Sequence, residues 1–544
     1  MHSVAATTGD ITSILFGVPG EGLSAATVVD GYPMAKNGEA GRALGAALTS
    51  SLIGAVFGAF ALALAIPVVR PLVLSFGSPE FFMLALLGLA FVASLSGGSL
   101  LKGLIAGGLG MLLATVGLDQ ITSVQRYTFG QLFLWDGIGL VPITIGFFAI
   151  PELIELAVKK GAIARAEVQK LGGVLQGVKD SFRHGWLAIR CSAIGAYIGI
   201  IPGMGGAVSQ WLAYAHAVQS AEHKERFGKG AVEGVIGPGA ANNSTLGGNL
   251  IPTIAFGVPG GVLTAILLGA FIIQGLTPGP AMLTPESRGG HLSLTFSFVW
   301  TIVIANIVTV AICFLFIRHL AKVTLVRGSL LIPPVLVLIY LGAFAEKNAF
   351  EDLYLVLVFG ALGWAMEKFG WPRPPLILGL VLGPLAENRL FLSVDNYGWG
   401  WLARPGVLIL IALLLAGLLY PYLRRKPGTA RAPEQVSRLN LAFTALIAAG
   451  AGAALWLSKD FGPRAGLFPW AFGIPVFAFS VLLLVLEVVH YRRVPMPAAI
   501  DPVAARRTAE IFGWIIGYVV VIWALGFALG GPLATFLALK LDGR

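Results

Sequence analysis

The sequence predicts an all-α polytopic integral membrane protein built on an internal repeat of broken helices. Of its 544 residues, 56% are hydrophobic and only 12% are charged, whereas a soluble domain carries about 25% charged residues. Uncharged runs such as "LGAALTSSLIGAVFGAFALALAIPVV", residues 44–69, exceed the roughly 20 residues that take a helix across the hydrocarbon core. The string FGVPG occurs twice, beginning at Phe16 and at Phe256, and each copy sets a helix breaker between apolar runs.

Runs of this length along the chain add up to about eleven to thirteen crossing or half-crossing segments, some of them re-entrant hairpins. The formal net charge of +10 sits between those runs, in "VKKGAIARAEVQKLGGVLQGVKDSFRHGWLAIR" (158–190), "IRHLAKVTLVR" (317–327), "LRRKPGTARAPEQVSR" (423–438) and "HYRRVP" (490–495). By the positive-inside rule these are cytoplasmic loops and not a nucleic-acid surface, and the acidic "EKNAFED" at 346–352 then faces the other side. Lys36, Arg42, Lys224, Arg226 and Lys229 are loop charges of the same kind. Cys191 and Cys313 lie in apolar stretches as small core residues and leave the redox compartment open. "MHSVAATTGD" lacks the charged and apolar regions of a signal peptide, so insertion is expected to rely on the transmembrane helices themselves.

From Gly234 to Pro285 there is no Asp, Glu, Lys, Arg or His. As one helix this stretch would be roughly 78 Å long, more than twice the hydrocarbon thickness. Breaks are expected at "IGPG" (236–239), "GVPGG" (257–261) and "LTPGP" (276–280), and another at "IIPGMGGAVS" (200–209). A broken backbone in lipid is tolerated only beside protein or water, so the breaks mark the interior.

"ITSILFGVPGEGLSAATVV" from Ile11 lies over "IPTIAFGVPGGVLTAILLG" from Ile251 at an offset of 240 residues. Paired interruptions in two halves point to the binding site of a secondary transporter. The competing account is a pair of Gly-Pro kinks in packed helices. Only fifteen residues precede Phe16, so the first half-repeat is expected to lack its upstream arm.

These strings carry a resemblance. "VPGEGLSAATVVDGYPMAKNGEAGRALGAAL", "IGIIPGMGG", "GPGAANNSTLGGNLIPTIAFGVPGG", "IQGLTPGP" and "LILGLVLGPLAENRL", in this order, resemble the large membrane subunit of tripartite tricarboxylate transporters, the TctA family. The resemblance covers residues 1–425. After a basic linker at 426–437, residues 438–544, with "GPRAGLFPW" and "ALGFALGGPLATF", resemble the small subunit of the same systems, TctB, in incomplete form. The resemblance implies a multi-pass permease subunit of the bacterial inner membrane. It would import citrate-like di- or tricarboxylates by cation symport and alternating access, with a periplasmic TctC-like solute-binding protein as partner. It implies no cofactor beyond a coupling cation, Na+ or H+, and leaves open whether copies of the chain associate.

A multiply anionic substrate calls for Arg or Lys, which the charge-free stretch does not offer. Free N–H groups at the positive ends of helices broken at mid-membrane are the alternative. Candidate substrate residues are therefore Gly17, Pro19 and Gly20 in the first break and Gly257, Pro259 and Gly260 in the second. Ser24, Thr27 and Thr264 would add hydroxyl donors, and Asn242, Asn243 and Ser244 would add uncharged donors and acceptors. Hydroxyls bonded to their own helix and amides joining neighbouring helices remain the alternatives. Carbonyls exposed at Pro202, Gly203 and Gly205 can take a cation, and Asp30 either couples to it or caps the next helix. The scarcity of dedicated buried acids favours sodium. Glu387 and Asn388 follow a Gly-Pro break, with Arg389 as the expected partner of Glu387.

Seven scattered histidines, with no H-E-x-x-H and no G-x-S-x-G, exclude the familiar enzyme constellations. Gly228-Lys229 is followed by Gly and forms no nucleotide loop. An anion-selective channel, or an assembly subunit that transports nothing, are the rival functions.

Overall fold

A computed structural model describes residues 2–17, 24–95, 99–119, 121–158, 172–202, 205–323, 328–423, 437–493 and 502–542. The described residues are helical nearly throughout, and seven of their helices are long and apolar enough to cross a membrane. The chain is an all-α, multi-pass membrane protein, as its composition predicts.

It forms two compact units, each assembled from two stretches of sequence: Met1–Gly77 with Ala162–Arg327, and Ser78–Gly161 with Gly328–Arg544. The first unit begins with α1 (His2–Phe16), α2 (Val28–Met34) and α3 (Ala40–Ser75). The second begins with α4 (Ser78–Leu95), α5 (Leu100–Leu113) and α6 (Leu140–Val158). The chain then completes the first with α7 (Val174–Arg183), α8 (Gly185–Ile200), α9 (Gly205–Ser220), α10 (Glu233–Phe256), α11 (Val262–Ile273) and α12 (Leu292–Val323). The second is completed by α13 (Gly328–Lys347), α14 (Glu351–Lys368), α15 (Pro374–Tyr397) and α16 (Pro405–Leu423), then by α17 (Arg438–Ser458), α18 (Gly462–Arg493) and α19 (Pro502–Asp542).

In the first unit α10 is the central helix, and every residue from Gly234 to Ala255 is buried. It packs against α3 on one side and α8 on the other. Small residues permit this. A Cβ on Gly58 of α3 would come 2.9 Å from the Ser244 carbonyl oxygen, and one on Gly247 would strike the Gly58 backbone. Backbones this close replace the hydrophobic drive that lipid cannot supply between helices.

The expected break at "IGPG" is absent, because α10 runs through Pro238 without interruption. One proline removes one ladder bond, and helices packed on both sides hold the rest in line. Breaks do occur at Gly257, after Ile273 and between α8 and α9. α15 likewise passes through Pro384, so Glu387 follows no break.

In the second unit α15 packs on α5 and α4, α14 on α6, α18 on α5, and α19 on α13 and α6. Its interior carries paired charges. Glu387 is bound by Arg126 at 2.5 Å and not by Arg389, whose guanidinium lies over the Phe81 ring at 5.2 Å. A short antiparallel ribbon, Gly117–Leu118 with Gln125–Arg126, fixes Arg126. Lys102 of α5 lies 3.7 Å from Glu487 of α18, both buried, and Thr444 of α17 donates to Glu487 at 2.7 Å. Residues beyond 437 thus complete the charge balance of a helix near residue 100.

Candidate functional site

The two FGVPG copies are built alike. α10 ends at Gly257 in the left-handed region, φ +69°, with its N–H bonded to the Thr253 carbonyl at 3.1 Å. α1 ends at Gly17, φ +68°, with its N–H bonded to the Ser13 carbonyl at 3.2 Å. One turn back, Thr253 Oγ1 donates to the Asn249 carbonyl at 2.6 Å, and Ser13 Oγ donates to the Gly9 carbonyl at 3.1 Å. All these pairs obey the 240-residue offset of the sequence repeat. An L-residue in the left-handed region costs roughly 1–2 kcal/mol, so both caps require glycine.

Pro19 and Gly20 lie outside the described residues. Pro259 and Gly260 are buried in the extended stretch between α10 and α11. Gly260 rests on α10, where a Cβ would come 2.7 Å from Asn249 Oδ1 and 2.8 Å from Asn249 Cα. Asn249 is buried and its Oδ1 has no hydrogen-bond partner among the described residues. The chain therefore turns back and sets this amide against the break, a placement that sequence reasoning missed. Its signal was present in "NLIPTIAFGVPGG", where Asn249 is the only polar side chain with an amide.

The candidate hydroxyls divide. Thr264 Oγ1 accepts from the Gly261 N–H at 2.9 Å and lies 2.9 Å from the Gly261 carbonyl, closing the first turn of α11. Ser244 Oγ donates to the Ala241 carbonyl at 3.1 Å. Both serve their own helix, the local alternative open to Ser and Thr. Ser24 is buried, and its carbonyl accepts from Ser13 Oγ at 3.0 Å across the first break. Thr27 is also buried and its Oγ1 has no hydrogen-bond partner among the described residues. Asn242 is fully buried on α10.

Asn243 joins a polar cluster. Its Nδ2 donates to Thr7 Oγ1 at 2.8 Å and to Asn306 Oδ1 at 3.0 Å. Asp10, one turn along α1 from Thr7, is 1% exposed. The expected scarcity of buried acids therefore does not hold in this unit. The lone acid in "TTGDITSILF" was the signal.

Asp30 is fully buried and holds three partners. Its Oδ1 accepts from the N–H groups of Gly230 and Ala231, each at 2.9 Å, and its Oδ2 accepts from the Tyr214 hydroxyl at 2.9 Å. These contacts tie α2 to α9 and to the turn that enters α10. Pro202 lies in the turn after α8 and Gly205 begins α9, while Gly203 is outside the described residues. Asp30's partners belong to other segments than that turn.

The family model described as "Tripartite tricarboxylate transporter TctA family" matches residues 1–378. An uncharacterized 52.8 kDa protein in the TAR-I ttuC' 3'region of Agrobacterium vitis is 35% identical over 382 residues, 70% of this chain and 75% of that protein. An uncharacterized protein in the TAR-II ttuC' 3'region of the same bacterium is 32% identical over 196 residues, 36% of this chain and 79% of that protein. No solved structure matches the chain. With seven long apolar helices and this match over its first 378 residues, the chain belongs to the tripartite tricarboxylate transporter TctA family.

Proposed function

We propose that the chain is the permease subunit of a binding-protein-dependent secondary transporter, importing di- and tricarboxylates of the citrate kind by cation symport and alternating access. The observation that carries this proposal is the matched pair of left-handed glycine caps, Gly17 and Gly257, in one unit whose central helix is free of Lys and Arg. The caps themselves are carbonyl ends, and it is the N-terminus of a helix that restarts beyond such a cap, as α11 does at Val262, that offers a carboxylate roughly 0.3–1 kcal/mol at an exposed site and up to about 2 when partly buried. A multiply charged anion therefore needs both ends together with neutral donors. Asn242 and Thr27 are buried, and the Asn249 amide lies against Gly260.

In this proposal the turn at Pro202, Gly203 and Gly205 exposes carbonyls to the coupling cation. Residues 438–544 act as the small TctB-like subunit fused behind the linker. A periplasmic TctC-like protein delivers the substrate to the chain in the inner membrane.

The test is uptake of labelled citrate by proteoliposomes, with purified binding protein present and the Na+ and H+ gradients imposed separately. Saturable uptake that needs the binding protein and one gradient is expected. Rapid passive conductance without either would make the chain an anion-selective channel, and no flux at all would leave it an assembly subunit.

A further inference from the structure

Four helices of the first unit bring polar side chains to one point in a charge-poor interior. Thr7 of α1, Ser51 of α3 and Asn306 of α12 are 0% exposed, and Asn243 of α10 is 1% exposed. The Thr7 hydroxyl donates to Asn306 Oδ1 at 3.4 Å and lies 3.3 Å from Ser51 Oγ. Asn306 Nδ2 donates to the Ile302 carbonyl at 2.9 Å, which leaves Asn306 Oδ1 turned to the cluster. At its centre Asn243 Nδ2 donates to both Thr7 Oγ1 and Asn306 Oδ1.

Two oxygen atoms, of Thr7 and Asn306, thus meet one amide nitrogen and Ser51 Oγ adjoins Thr7, while Asn243 Oδ1 has no hydrogen-bond partner among the described residues. An amide is nearly symmetric in shape, and a half-turn exchanges its oxygen and nitrogen. With Oδ1 turned inward, Thr7, Asn243 and Asn306 bring three neutral oxygens together, and Ser51 Oγ beside Thr7 adds a fourth. Such a set takes a hard cation and offers nothing to soft metals. Asp10, buried one turn along α1, supplies a single negative charge. One carboxylate balances a monovalent ion and leaves a divalent one uncompensated in a medium where net charge is costly.

We propose that Thr7, Ser51, Asn243 and Asn306, with Asp10 as counter-charge, form a sodium site. An ion there bonds α1 to α10, the two helices that end at Gly17 and Gly257, and so sets both breaks at once. This use of the ion rests on the transporter proposal, but its binding does not.

Equilibrium binding of 22Na+ to the purified full chain in detergent tests the site without substrate, gradient or binding protein, so failure of transport leaves the result intact. Saturable binding displaced by NaCl is expected, together with a higher melting temperature in NaCl than in choline chloride. Ser51→Ala keeps the fold in choline chloride, loses the sodium-dependent rise in melting temperature and weakens binding at least about tenfold. Asp10→Asn is expected to weaken it at least as much. Absence of saturable 22Na+ binding, or wild-type binding in folded Ser51→Ala and Asp10→Asn, would overturn the site.

Discussion

Arg126 and Glu387, 261 residues apart, meet in a two-point ion pair, Nη1 to Oε1 at 2.5 Å and Nη2 to Oε2 at 3.0 Å. Arg126 is 3% exposed, lies 3.7 Å from Asp119 and also donates to the Ala465 carbonyl at 3.2 Å. One guanidinium therefore gathers the ribbon, α15 and α18. Removing it strands the Glu387 carboxylate and takes the cation from Asp119, which keeps its bonds from Thr122, whereas neutralising Glu387 leaves Arg126 paired with Asp119. Arg126→Met is expected to destabilise the protein by about 3–5 kcal/mol, and Glu387→Gln by clearly less. Thermal unfolding in detergent, followed by tryptophan fluorescence, measures the order, and equal losses would remove Asp119 from the network.

The close approach of α3 and α10 gives a second expectation. A side chain at Gly247 must push against the Gly58 backbone, which has no rotamer to yield. Overpacking costs typically about 1–3 kcal/mol where side chains can shift, and more is expected here. Gly247→Leu should yield little monodisperse protein by gel filtration, while Ala at exposed Leu212 on α9 should be neutral.

Asp30 separates anchoring from coupling. Asp30→Ala leaves the buried Ala231 N–H and the half-buried Gly230 N–H and Tyr214 hydroxyl without their acceptor, a loss of roughly 1–3 kcal/mol for the buried group and less for the others. Tyr214→Phe removes one bond, worth about 0.5–1.5 kcal/mol. If Asp30 is an anchor, Asp30→Asn should retain citrate uptake at a lower melting temperature. Loss of uptake at an unchanged melting temperature would assign it to coupling.

The breaks themselves are tested by Gly257→Leu and Gly260→Leu. The first forces a side chain into a left-handed cap at roughly 1–2 kcal/mol, and the second drives into Asn249. Both should insert into the membrane and lose labelled citrate uptake. Normal uptake by both variants would remove the second break from the site.

Hydropathy and the FGVPG repeat made the membrane class and the two glycine caps legible, because both depend on residues adjacent in sequence. Pro238 misled for the same reason: local propensity prescribes a break, and the neighbours that suppress it, α3 and α8, are remote in the chain. Glu387 was assigned to Arg389, two residues away, while its partner stands on a ribbon that no local pattern announces. Asp10, in an unremarkable polar start, revealed its burial only once α1 was placed among α3, α10 and α12. Distances along the chain concealed the polar clusters far more than they concealed the helices.

The interleaving of the two units has a consequence during synthesis. α3 leaves the ribosome with its glycine face complete, yet α10, which covers that face, follows roughly 160 residues later. At about 5–20 residues per second, the wait is on the order of ten to thirty seconds. Throughout it α4, α5 and α6 enter the bilayer before their own later partners exist. Ribosome pausing or loss of an insertase should therefore injure this protein more than one whose neighbouring helices are also consecutive in translation.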